Sequence, residues 1–374
     1  MRIGVPKEIK EQEYRVGMTP ASVRELTSRG HQVVVEQDAG QGIGFTNEMY
    51  QLVGAEVINN AEEIYATADM IVKVKEPQAA ECKRLKEGQV LFTFLHLAPD
   101  PKLADCLLAS NCIAIACETV TDEQGGLPLL TPMSEVAGRL SVQAGAHYLE
   151  KAQGGRGILL GGVPGVDPAN VVILGGGSVG TQALRVAIGM GAKVTVLDQS
   201  LKRLRELDAV FDGRLTTVFA STGNIEEYVV AADLVIGAVL IPGAPTPKLV
   251  TREHLRRMHP GSVVVDVSID QGGCFETSHP TTHSKPIFVE ESIIHYCVSN
   301  MPGGVPRTST IALNNATLPF ILALAERGYR TACLENKHLL NGVNVCGGKI
   351  THPTVATALH KPYVEPSFAF RAVH

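Results

Sequence analysis

The sequence predicts an α/β protein made of two Rossmann-like, doubly wound parallel-sheet domains joined by long helices. Short apolar strands alternate with helical segments in both halves of the chain, and one strand runs into a glycine turn spaced G-x-G-x-x-G. A chain of 374 residues is long enough for two domains, each with its own core. We place the first domain at 1–130 plus 305–374 and the second at 131–304.

The composition excludes several classes of protein. With 45% apolar and 19% charged residues, the chain has the balance of an ordinary globular protein. The net charge of −5 argues against a nucleic-acid partner. The charged amino terminus has no signal-peptide core, and the longest apolar stretch, Leu234 to Pro242, is too short to cross a bilayer. Eight cysteines without a C-x-x-C pair are typical of reduced thiols, so we expect a cytoplasmic protein without membrane segments.

The first domain contains five predicted strands separated by helices. The strands are Ile3–Pro6, Val33–Glu36, Ile71–Lys75, Val90–His96 and Ile113–Ala116, and the helices are Pro20–Arg29, Asn47–Val53 and Pro101–Ala109. This alternation favours a parallel sheet. No glycine fingerprint follows the first strand, so the dinucleotide-binding turn belongs elsewhere.

Two long helices bracket the second domain. Thr131-Pro132 begins the first, which runs from Met133 through Lys151, and a Gly/Pro-rich loop follows that we expect to form a surface hairpin. Further strands are predicted at Val171–Leu174, Leu215–Phe219, Leu234–Ala238 and Ser262–Val267. The second long helix ends near Arg327-Gly328 with a kink at Pro319, after which the chain should fold back onto the first domain.

The glycine turn predicts a dinucleotide site. Gly175 permits the tight turn, Gly177 lets backbone N–H groups approach a pyrophosphate, and Gly180 lets the following helix pack closely on the sheet. Asp198, at the end of the next strand, would accept hydrogen bonds from the adenosine ribose hydroxyls and repel a 2′-phosphate, which favours NAD over NADP. A nucleotide-free glycine turn and a helix-capping Asp198 are the alternatives.

Four polar residues follow predicted strands, where ligands of open α/β sheets bind. Arg15 follows the first strand, Lys75 and His96 close two others, and Asp270 follows the strand at Ser262–Val267. A guanidinium suits a substrate carboxylate, a lysine can stabilise an oxyanion, a histidine can move protons, and an aspartate can balance charge at a nicotinamide. Each alone has an ordinary structural explanation; together they favour oxidation of a small anionic substrate.

At this point the sequence resembles the alanine dehydrogenase family over nearly its whole length. The resembling stretches are Pro6-Lys-Glu8, Glu13-Tyr-Arg-Val16, Lys73-Val-Lys-Glu-Pro77, Phe94-Leu-His-Leu-Ala98, Ser134-Glu-Val-Ala-Gly-Arg139, the glycine turn, Asp266 to Glu276, Asn300-Met-Pro302 and Val305-Pro-Arg-Thr-Ser-Thr310. The resemblance implies reversible oxidative deamination, in which L-alanine, NAD and water give pyruvate, ammonium and NADH. It also implies a homohexamer, a substrate-binding first domain and an NAD-binding second domain.

The resemblance also assigns residues. Arg15 and Lys75 would bind the substrate, His96 would be the acid/base, and Asp270 would assist beside the nicotinamide. The NAD-binding positions would be Ser134, Gly175, Gly177, Ser178, Val179, Gly180, Asp198, Arg203, Val239, Leu240, Val267, Ser268, Ile269, Asp270, Val298, Ser299, Asn300 and Met301. Ala220 and His279 depart from the serine and arginine we expect, which puts NAD affinity in question. We expect no metal site, because Ala323 and Arg327 lack ligand character.

Three other functions remain open at this point. An NAD(H)-binding module of a proton-translocating transhydrogenase would share the fold but would not need His96 and Lys75. A 2-hydroxy acid dehydrogenase would use His96 to take the hydroxyl proton directly. Lysine- or saccharopine-type dehydrogenases would need a roomier pocket for their larger substrates.

Overall fold

The computed structural model describes residues 1–239 and 246–372. Contacts divide the chain into two compact units. The first unit comprises Met1–Met133 together with the residues from Val305 onward, and the second comprises Ser134–Gly304. Each unit is built on one mostly parallel sheet with helices packed against it, which confirms the predicted α/β class.

The strands in the described residues are β1 (Arg2–Val5), β2 (Gln32–Glu36), β3 (Glu56–Ile58), β4 (Met70–Val72), β5 (Val90–Thr93), β6 (Ile113–Ala116), β7 (Asn170–Leu174), β8 (Lys193–Asp198), β9 (Thr216–Phe219), β10 (Leu234–Gly237), β11 (Val263–Asp266), β12 (Ile287–Glu290), β13 (Ile293–Tyr296), β14 (Val343–Cys346) and β15 (Lys349–Ile350).

The helices in the same residues are α1 (Pro20–Thr27), α2 (Asn47–Leu52), α3 (Ala61–Thr67), α4 (Ala79–Cys82), α5 (Pro101–Ser110), α6 (Thr131–Tyr148), α7 (Ser178–Gly189), α8 (Leu201–Phe211), α9 (Thr222–Val230), α10 (Arg252–Arg257), α11 (Pro306–Glu335), α12 (Lys337–Leu340), α13 (Pro353–Leu359) and α14 (Pro366–Ala369).

The sheet of the first unit runs β15-β14-β6-β5-β4-β1-β2-β3. The six strands from β6 to β3 pair in parallel, and the carboxy-terminal hairpin β14–β15 adds antiparallel to β6. After β1 the chain adds β2 and then β3 on one side of β1, and it then crosses over to add β4 on the opposite side of β1. This change of direction between β1 and β4 opens the crevice in which α/β sheets bind ligands.

The sheet of the second unit has the order β12-β13-β11-β10-β7-β8-β9. Its strands are parallel except for β12, which pairs antiparallel with β13 at the edge. The direction of winding changes between β7 and β10, so the crevice lies beside the glycine turn that follows β7. Completely buried aliphatic side chains of the central strands form the core, such as Val171, Ile173, Ile236 and Val265.

Side-chain caps explain where several helices begin. The hydroxyl of Thr19 accepts a hydrogen bond from the backbone N–H of Ser22 at the start of α1, and the Asp100 carboxylate does the same for Leu103 in α5. Ser200 caps α8 in the second unit. Each cap satisfies an N–H group that has no partner inside its helix.

Two predicted strands end earlier than we expected. Strand β4 ends at Val72 rather than Lys75, and β5 ends at Thr93 rather than His96. The apolar pattern continues past each strand because the following turns are also buried, for example at Val74 and Leu95. Periodicity therefore overestimated the length of the ladders, and Lys75 and His96 lie in turns beyond them.

Helix α11 breaks at a glycine and not at its proline. Gly328 leaves the helical conformation with φ of 72° and ψ of 154°, whereas Pro319 lies within the helical part. The predicted kink at Pro319 is therefore wrong, and the predicted helix end at Arg327-Gly328 coincides with the break. By length and composition alone α11 could cross a membrane. Its buried Leu313, Ile321 and Leu324 make it a core helix of the first unit.

Candidate active site

The glycine turn after β7 has the geometry that a dinucleotide site requires. Gly175 adopts φ of 98°, and a Cβ there would lie 2.7 Å from the Ala238 carbonyl oxygen. A Cβ on Gly180 would lie 1.9 Å from the Gly175 carbonyl oxygen. A Cβ on Gly177, by contrast, would meet no atom within 4 Å. The first and third glycines are needed for close packing, whereas the second leaves open space at the start of α7.

That open space faces an uncapped helix N-terminus. Gly177 is the N-cap of α7 and supplies no side-chain hydrogen bond, so the first N–H groups of the helix remain available to an anion. Ser178 is exposed and Val179 is half-buried at the same end. Helix α6 packs closely here, because a Cβ on its Gly138 would lie 2.2 Å from the Val179 carbonyl oxygen. Ser134, one turn earlier on α6, is half-buried.

Asp198 is the last residue of β8 and binds the glycine turn directly. One carboxylate oxygen accepts a hydrogen bond from the Gly176 N–H at 2.7 Å, and the other accepts from the Ser200 N–H at 2.8 Å. A carboxylate has about four acceptor sites, so two remain for the hydroxyls of a ribose. The N-cap of α8 is Ser200, so Asp198 is not the capping residue of that helix.

Arg203 on α8 braces the same turn. Its Nε donates to the Gly176 carbonyl and its Nη2 donates to the Thr181 hydroxyl, both at 2.7 Å, while Nη1 pairs with Glu206. The guanidinium thus places positive charge beside the turn. Gly176 is thus held at its N–H by Asp198 and at its carbonyl by Arg203.

The loops after β10 and β11 carry the next group of predicted residues. Val239 lies next to Ser268, whose hydroxyl donates to the Val239 carbonyl at 2.7 Å. Leu240 lies outside the described residues. In the loop after β11, Ile269 is buried, Val267 is half-buried and Asp270 is exposed.

A buried carboxylate that we did not assign holds this loop. Asp266 accepts hydrogen bonds from the backbone N–H groups of Ser268, Cys274 and Phe275 and from the Ser278 hydroxyl. Burial raises the pKa of Asp266 in spite of these hydrogen bonds. On the same loop, Lys248 donates to the carbonyls of Gly272, Gly273 and Phe275. The loop that carries Asp270 is therefore held by an anion and a cation.

The turn after β13 contains Val298 to Met301. Val298 and Met301 are buried, and Ser299 and Asn300 are half-buried. Asn300 has a left-handed φ of 59°, and its carbonyl accepts a hydrogen bond from His283 at 3.1 Å. The NAD positions predicted in the second unit thus follow the carboxyl ends of parallel strands β7, β8, β10, β11 and β13, apart from Ser134 on α6 and Arg203 on α8.

The two positions that depart from the expected pattern both have structural partners. The Ala220 N–H donates to the carbonyl of Asp198 at 3.1 Å, so the backbone there is held without a side-chain hydroxyl. The His279 ring stacks on Phe288 with centroids 3.7 Å apart, and Phe288 in turn stacks on His295.

In the first unit, Arg15 is buried and oriented by its neighbour Glu13. Arg15 donates from Nε and Nη2 to the two Glu13 carboxylate oxygens at 2.7 and 2.6 Å, which is a bidentate ion pair. Its Nη1 lies 3.3 Å from the Met133 sulfur. The side chain that would bind a carboxylate is thus held in one orientation.

Lys75 and His96 follow neighbouring strands. The Lys75 carbonyl accepts a hydrogen bond from the Thr93 hydroxyl at 2.9 Å, so the turn after β4 is tied to the end of β5. Burial lowers the pKa of Lys75, and the Arg15 charge lowers it further. His96 is exposed, with φ of 49° and its ring stacked parallel to Phe94.

Glu118, which we did not predict, holds His96 in place. One of its carboxylate oxygens accepts the His96 N–H at 2.6 Å, and both lie 3.2 Å from the Leu95 nitrogen. The His96 Nδ1 is 3.9 Å from the same carboxylate. Glu118 lies two residues after the end of β6, so the rule that placed Arg15 and His96 at strand ends could also have found it.

The described residues contain no group of three or more histidine, cysteine or acidic side chains placed to hold a metal ion. On α11, Arg327 forms an ion pair with Glu335.

Comparisons with known proteins agree over nearly the whole chain. Residues 4–137 match a family model described as the N-terminal domain of alanine dehydrogenase/PNT, and residues 141–353 match the model of its C-terminal domain. A curated alanine dehydrogenase from Halomonas elongata is 56% identical over 365 residues, covering 98% of each chain.

Two solved structures also match this chain, at different levels of sequence identity. An L-alanine dehydrogenase superposes with a TM-score of 0.94 at 49% identity, covering 96% of this chain and 99% of the other. A transhydrogenase from Sinorhizobium meliloti superposes with a TM-score of 0.81 at 25% identity, covering 94% of this chain and 99% of the transhydrogenase chain.

Proposed function

We propose that this protein catalyses the reversible oxidative deamination of L-alanine. The chain belongs to the alanine dehydrogenase/PNT family and is an NAD-dependent enzyme that acts on the CH–NH₂ group of an amino acid. Membership confirms the resemblance that the sequence motifs predicted. The proposal further assigns NAD to the unit of residues 134–304 and the amino acid to the other unit.

The second unit fits a dinucleotide. The open space at Gly177 and the uncapped start of α7 suit a pyrophosphate, and the spare acceptor sites of Asp198 suit the adenosine ribose. We assign contacts near the pyrophosphate to Ser178 and Val179, with Arg203 at the ribose end. The remaining positions of the proposed NAD site are Ser134, Val239, Leu240, Val267–Asp270 and Val298–Met301.

The first unit fits a small anionic substrate. Arg15, fixed by Glu13, would pair with the alanine carboxylate. We assign the Lys75 amino group to the reacting carbon. Because burial and the Arg15 charge lower its pKa, this amine can exchange a proton nearer to neutral pH than an exposed lysine. The exposed His96 ring would act as the acid/base.

When bound, NAD would supply the acceptor for the hydride of the alanine Cα–H bond. In the proposed reaction the substrate ammonium first gives one proton to solvent, and loss of the hydride then oxidises the amine to an iminium. His96 takes a proton from water as the water oxygen bonds to the iminium carbon. His96 then returns the proton to the carbinolamine nitrogen, and the C–N bond breaks as the hydroxyl oxygen forms the C=O bond of pyruvate and gives its proton to the departing ammonia. The balance is alanine, NAD⁺ and water to pyruvate, ammonium, NADH and one proton. Asp270 would offset positive charge beside the nicotinamide.

One observation carries this proposal. Arg15, Lys75 and His96 all follow the carboxyl ends of neighbouring strands β1, β4 and β5 in one sheet, with Lys75 tied to β5 through Thr93. An NAD-binding protein that did not act on a substrate would have no use for a guanidinium, an amine and an imidazole at this edge.

A direct assay tests the proposal. Purified protein mixed with NAD at alkaline pH should form NADH with L-alanine and little or none with lactate or lysine, followed by absorbance. His96→Ala should lower turnover by roughly 10²-fold or more while the protein still binds NADH. Faster NADH formation with lactate than with alanine would reject the amino-acid substrate, and full turnover by His96→Ala would reject the role of His96.

The likeness to a transhydrogenase supports a second candidate, an NAD(H)-binding module that docks to membrane subunits. Its lower identity of 25%, against 49% for the L-alanine dehydrogenase, favours the first proposal. Protein that binds NADH but gives no NADH with alanine would favour the module instead.

We also propose that the protein is a cytoplasmic homohexamer. The support is the family resemblance, and sedimentation equilibrium of the purified protein tests the number of subunits.

A further inference from the structure

We propose that Glu8 is a positioning residue that fixes the backbone of Lys75, and through it the amine that binds the substrate. The inference rests on the role proposed above for Lys75. Glu8 touches neither the reacting atoms nor the cofactor in this proposal. It acts on the turn that carries Lys75.

The contacts of Glu8 divide between a side chain and the backbone. Its Oε1 accepts hydrogen bonds from the N–H groups of Val74 at 2.7 Å and Lys75 at 3.2 Å. Its Oε2 pairs with the Lys73 ammonium at 2.9 Å. One carboxylate therefore holds three consecutive residues of the turn after β4.

This turn needs an outside acceptor because the sheet no longer supplies one. The pairing of β1 with β4 ends at Gly4 and Ile71. On the side of β5 the carbonyls are satisfied, since Phe94 donates to Val74 and the Thr93 hydroxyl donates to Lys75. Glu8 holds the N–H groups of the same two residues. The Lys75 backbone is thus fixed at both its N–H and its C=O.

Glu8 is in turn held by a buried network. The Lys73 ammonium also pairs with Glu81 at 2.7 Å, and the Tyr65 hydroxyl donates to the Glu81 carboxylate at 3.1 Å. The side chains of Lys73, Glu8 and Glu81 are only 0–2% exposed. Burial opposes the charge on Lys73, but the two carboxylates outweigh burial and raise its pKa. Lys73 therefore stays charged and holds Glu8 in one position.

A network of this kind is poorly explained by stability alone. Apolar side chains of similar volume often stabilise a core as well as a buried ion pair does. They cannot accept the two backbone hydrogen bonds that Glu8 receives beside Lys75. A displacement of a substrate-binding group by 1 Å can lower the reaction rate about 10²-fold. Fixing the Lys75 backbone would therefore maintain the rate of catalysis.

The test separates positioning from folding by comparing two Michaelis constants. Glu8→Leu should raise the KM for pyruvate by roughly tenfold or more, since losing one well-placed interaction of 1.4 kcal/mol costs a factor of ten. The KM for NADH should stay within about twofold, because the NAD positions lie in the other unit. Tyr65→Phe is the matched control: it removes the far end of the network, so it should lower the melting temperature without changing either KM.

A rescue variant tests the hydrogen bonds themselves. In Glu8→Gln with Lys73→Met, the glutamine carbonyl can still accept from Val74 and Lys75, and its NH₂ group faces a methionine instead of an ammonium. The net charge of the buried cluster is unchanged, because one anion and one cation are lost together, but Glu81 loses its ammonium partner, so the melting temperature of the double variant is measured to show that it folds. We expect the KM for pyruvate to return to within about threefold of the parent. Should Glu8→Leu not fold, Glu8→Asp withdraws the carboxylate by one methylene and should raise the same KM.

The outcomes are distinct. If the parent shows no activity with alanine or pyruvate, the proposed function fails. If the parent is active and Lys75→Met is impaired, but Glu8→Leu and Glu8→Asp leave the KM for pyruvate within twofold, only the role of Glu8 fails. A parallel rise in both KM values, or a folded double variant no better than Glu8→Leu, would also overturn it.

Discussion

A carboxylate oxygen of Glu118 lies 2.6 Å from the backbone nitrogen of His96 and accepts its hydrogen bond. His96 has a left-handed φ of 49°, which costs a residue with a side chain roughly 1–2 kcal/mol. Glu118, with only 13% of its side chain exposed, offsets that cost by holding two consecutive N–H groups, those of Leu95 and His96. The orientation of the proposed acid/base therefore depends on an acidic residue from the turn after the next strand, β6.

Replacing Glu118 by leucine should lower kcat by about tenfold or more, because the His96 turn loses its acceptor and relaxes. NADH affinity, measured by fluorescence titration, should stay within twofold. Thr119→Val is the matched control, because Thr119 lies in the same turn as Glu118. The substitution removes the hydrogen bonds of the Thr119 hydroxyl with Ala116 and Asn344 and leaves the hydrogen bonds of His96 in place. Equal kcat values for the parent and Glu118→Leu would contradict this role.

Asp198 should determine the choice of cofactor. Asp198→Ala removes the carboxylate that we propose repels a 2′-phosphate, and also the acceptor of the Gly176 N–H. We expect kcat/KM for NAD to fall and the ratio of NAD to NADP efficiency to drop by about tenfold or more. Steady-state rates with both cofactors measure this. Asp208→Asn on the exposed part of α8 should leave the ratio unchanged. An unchanged ratio in Asp198→Ala would remove Asp198 from ribose recognition.

The sequence predicted the fold because both sheets are built from buried apolar strands with strong patterns. Strand β6 was predicted at its observed bounds, Ile113–Ala116. Strands β3, β12, β13, β14 and β15 were not predicted. Strands β3 and β12 lie at sheet edges and are only partly buried, whereas β13 and β14 are buried runs of four residues that were overlooked. Strands whose apolar pattern ran on into a buried turn were predicted too long, as at Lys75 and His96.

The chemistry-bearing residues were easier to predict than the residues that hold them. A polar side chain after an apolar strand is visible in the sequence, so Arg15, Lys75 and His96 could be named as candidates. Nothing in the sequence tells which N–H groups a carboxylate will reach. The contacts of Glu8 and Glu118 therefore became known only from the structure, although both residues also lie just beyond strands.

The glycines of the turn should respond differently to the same substitution. Gly177→Ala should leave the melting temperature nearly unchanged, because its Cβ meets no protein atom within 4 Å, yet raise the KM for NAD by about tenfold or more. Gly180→Ala should destabilise the fold, because its Cβ would lie 1.9 Å from a carbonyl oxygen.

The matched control for Gly177→Ala is Gly189→Ala, at the last residue of α7. A Cβ there also meets nothing within 4 Å, and no proposed NAD contact lies nearby in sequence. Its KM for NAD should equal that of the parent. If Gly177→Ala and Gly189→Ala bind NAD equally well, the space in front of Gly177 does not hold the pyrophosphate.

The buried His295 should make the stability of the protein depend on pH. Its Nδ1 donates to the Ile293 carbonyl at 2.9 Å, which leaves Nε2 to accept from the Thr277 hydroxyl at 2.8 Å, as a neutral ring does. Burial lowers the pKa of His295 to about 4, although the Ile293 carbonyl and Glu290 oppose the shift. An unfolded histidine has a pKa of about 6.5.

Between pH 6.5 and 4 the unfolded chain therefore binds a proton that folded His295 does not, so stability is lost as the pH falls through this window. His295 alone should account for about 2 kcal/mol less free energy of unfolding at pH 5 than at pH 7. His295→Gln should reduce the difference between the two pH values by that amount in urea titrations. His147→Asn, whose parent side chain is 50% exposed, should keep it. The same pH dependence in the parent and His295→Gln would show that His295 titrates normally in the folded protein.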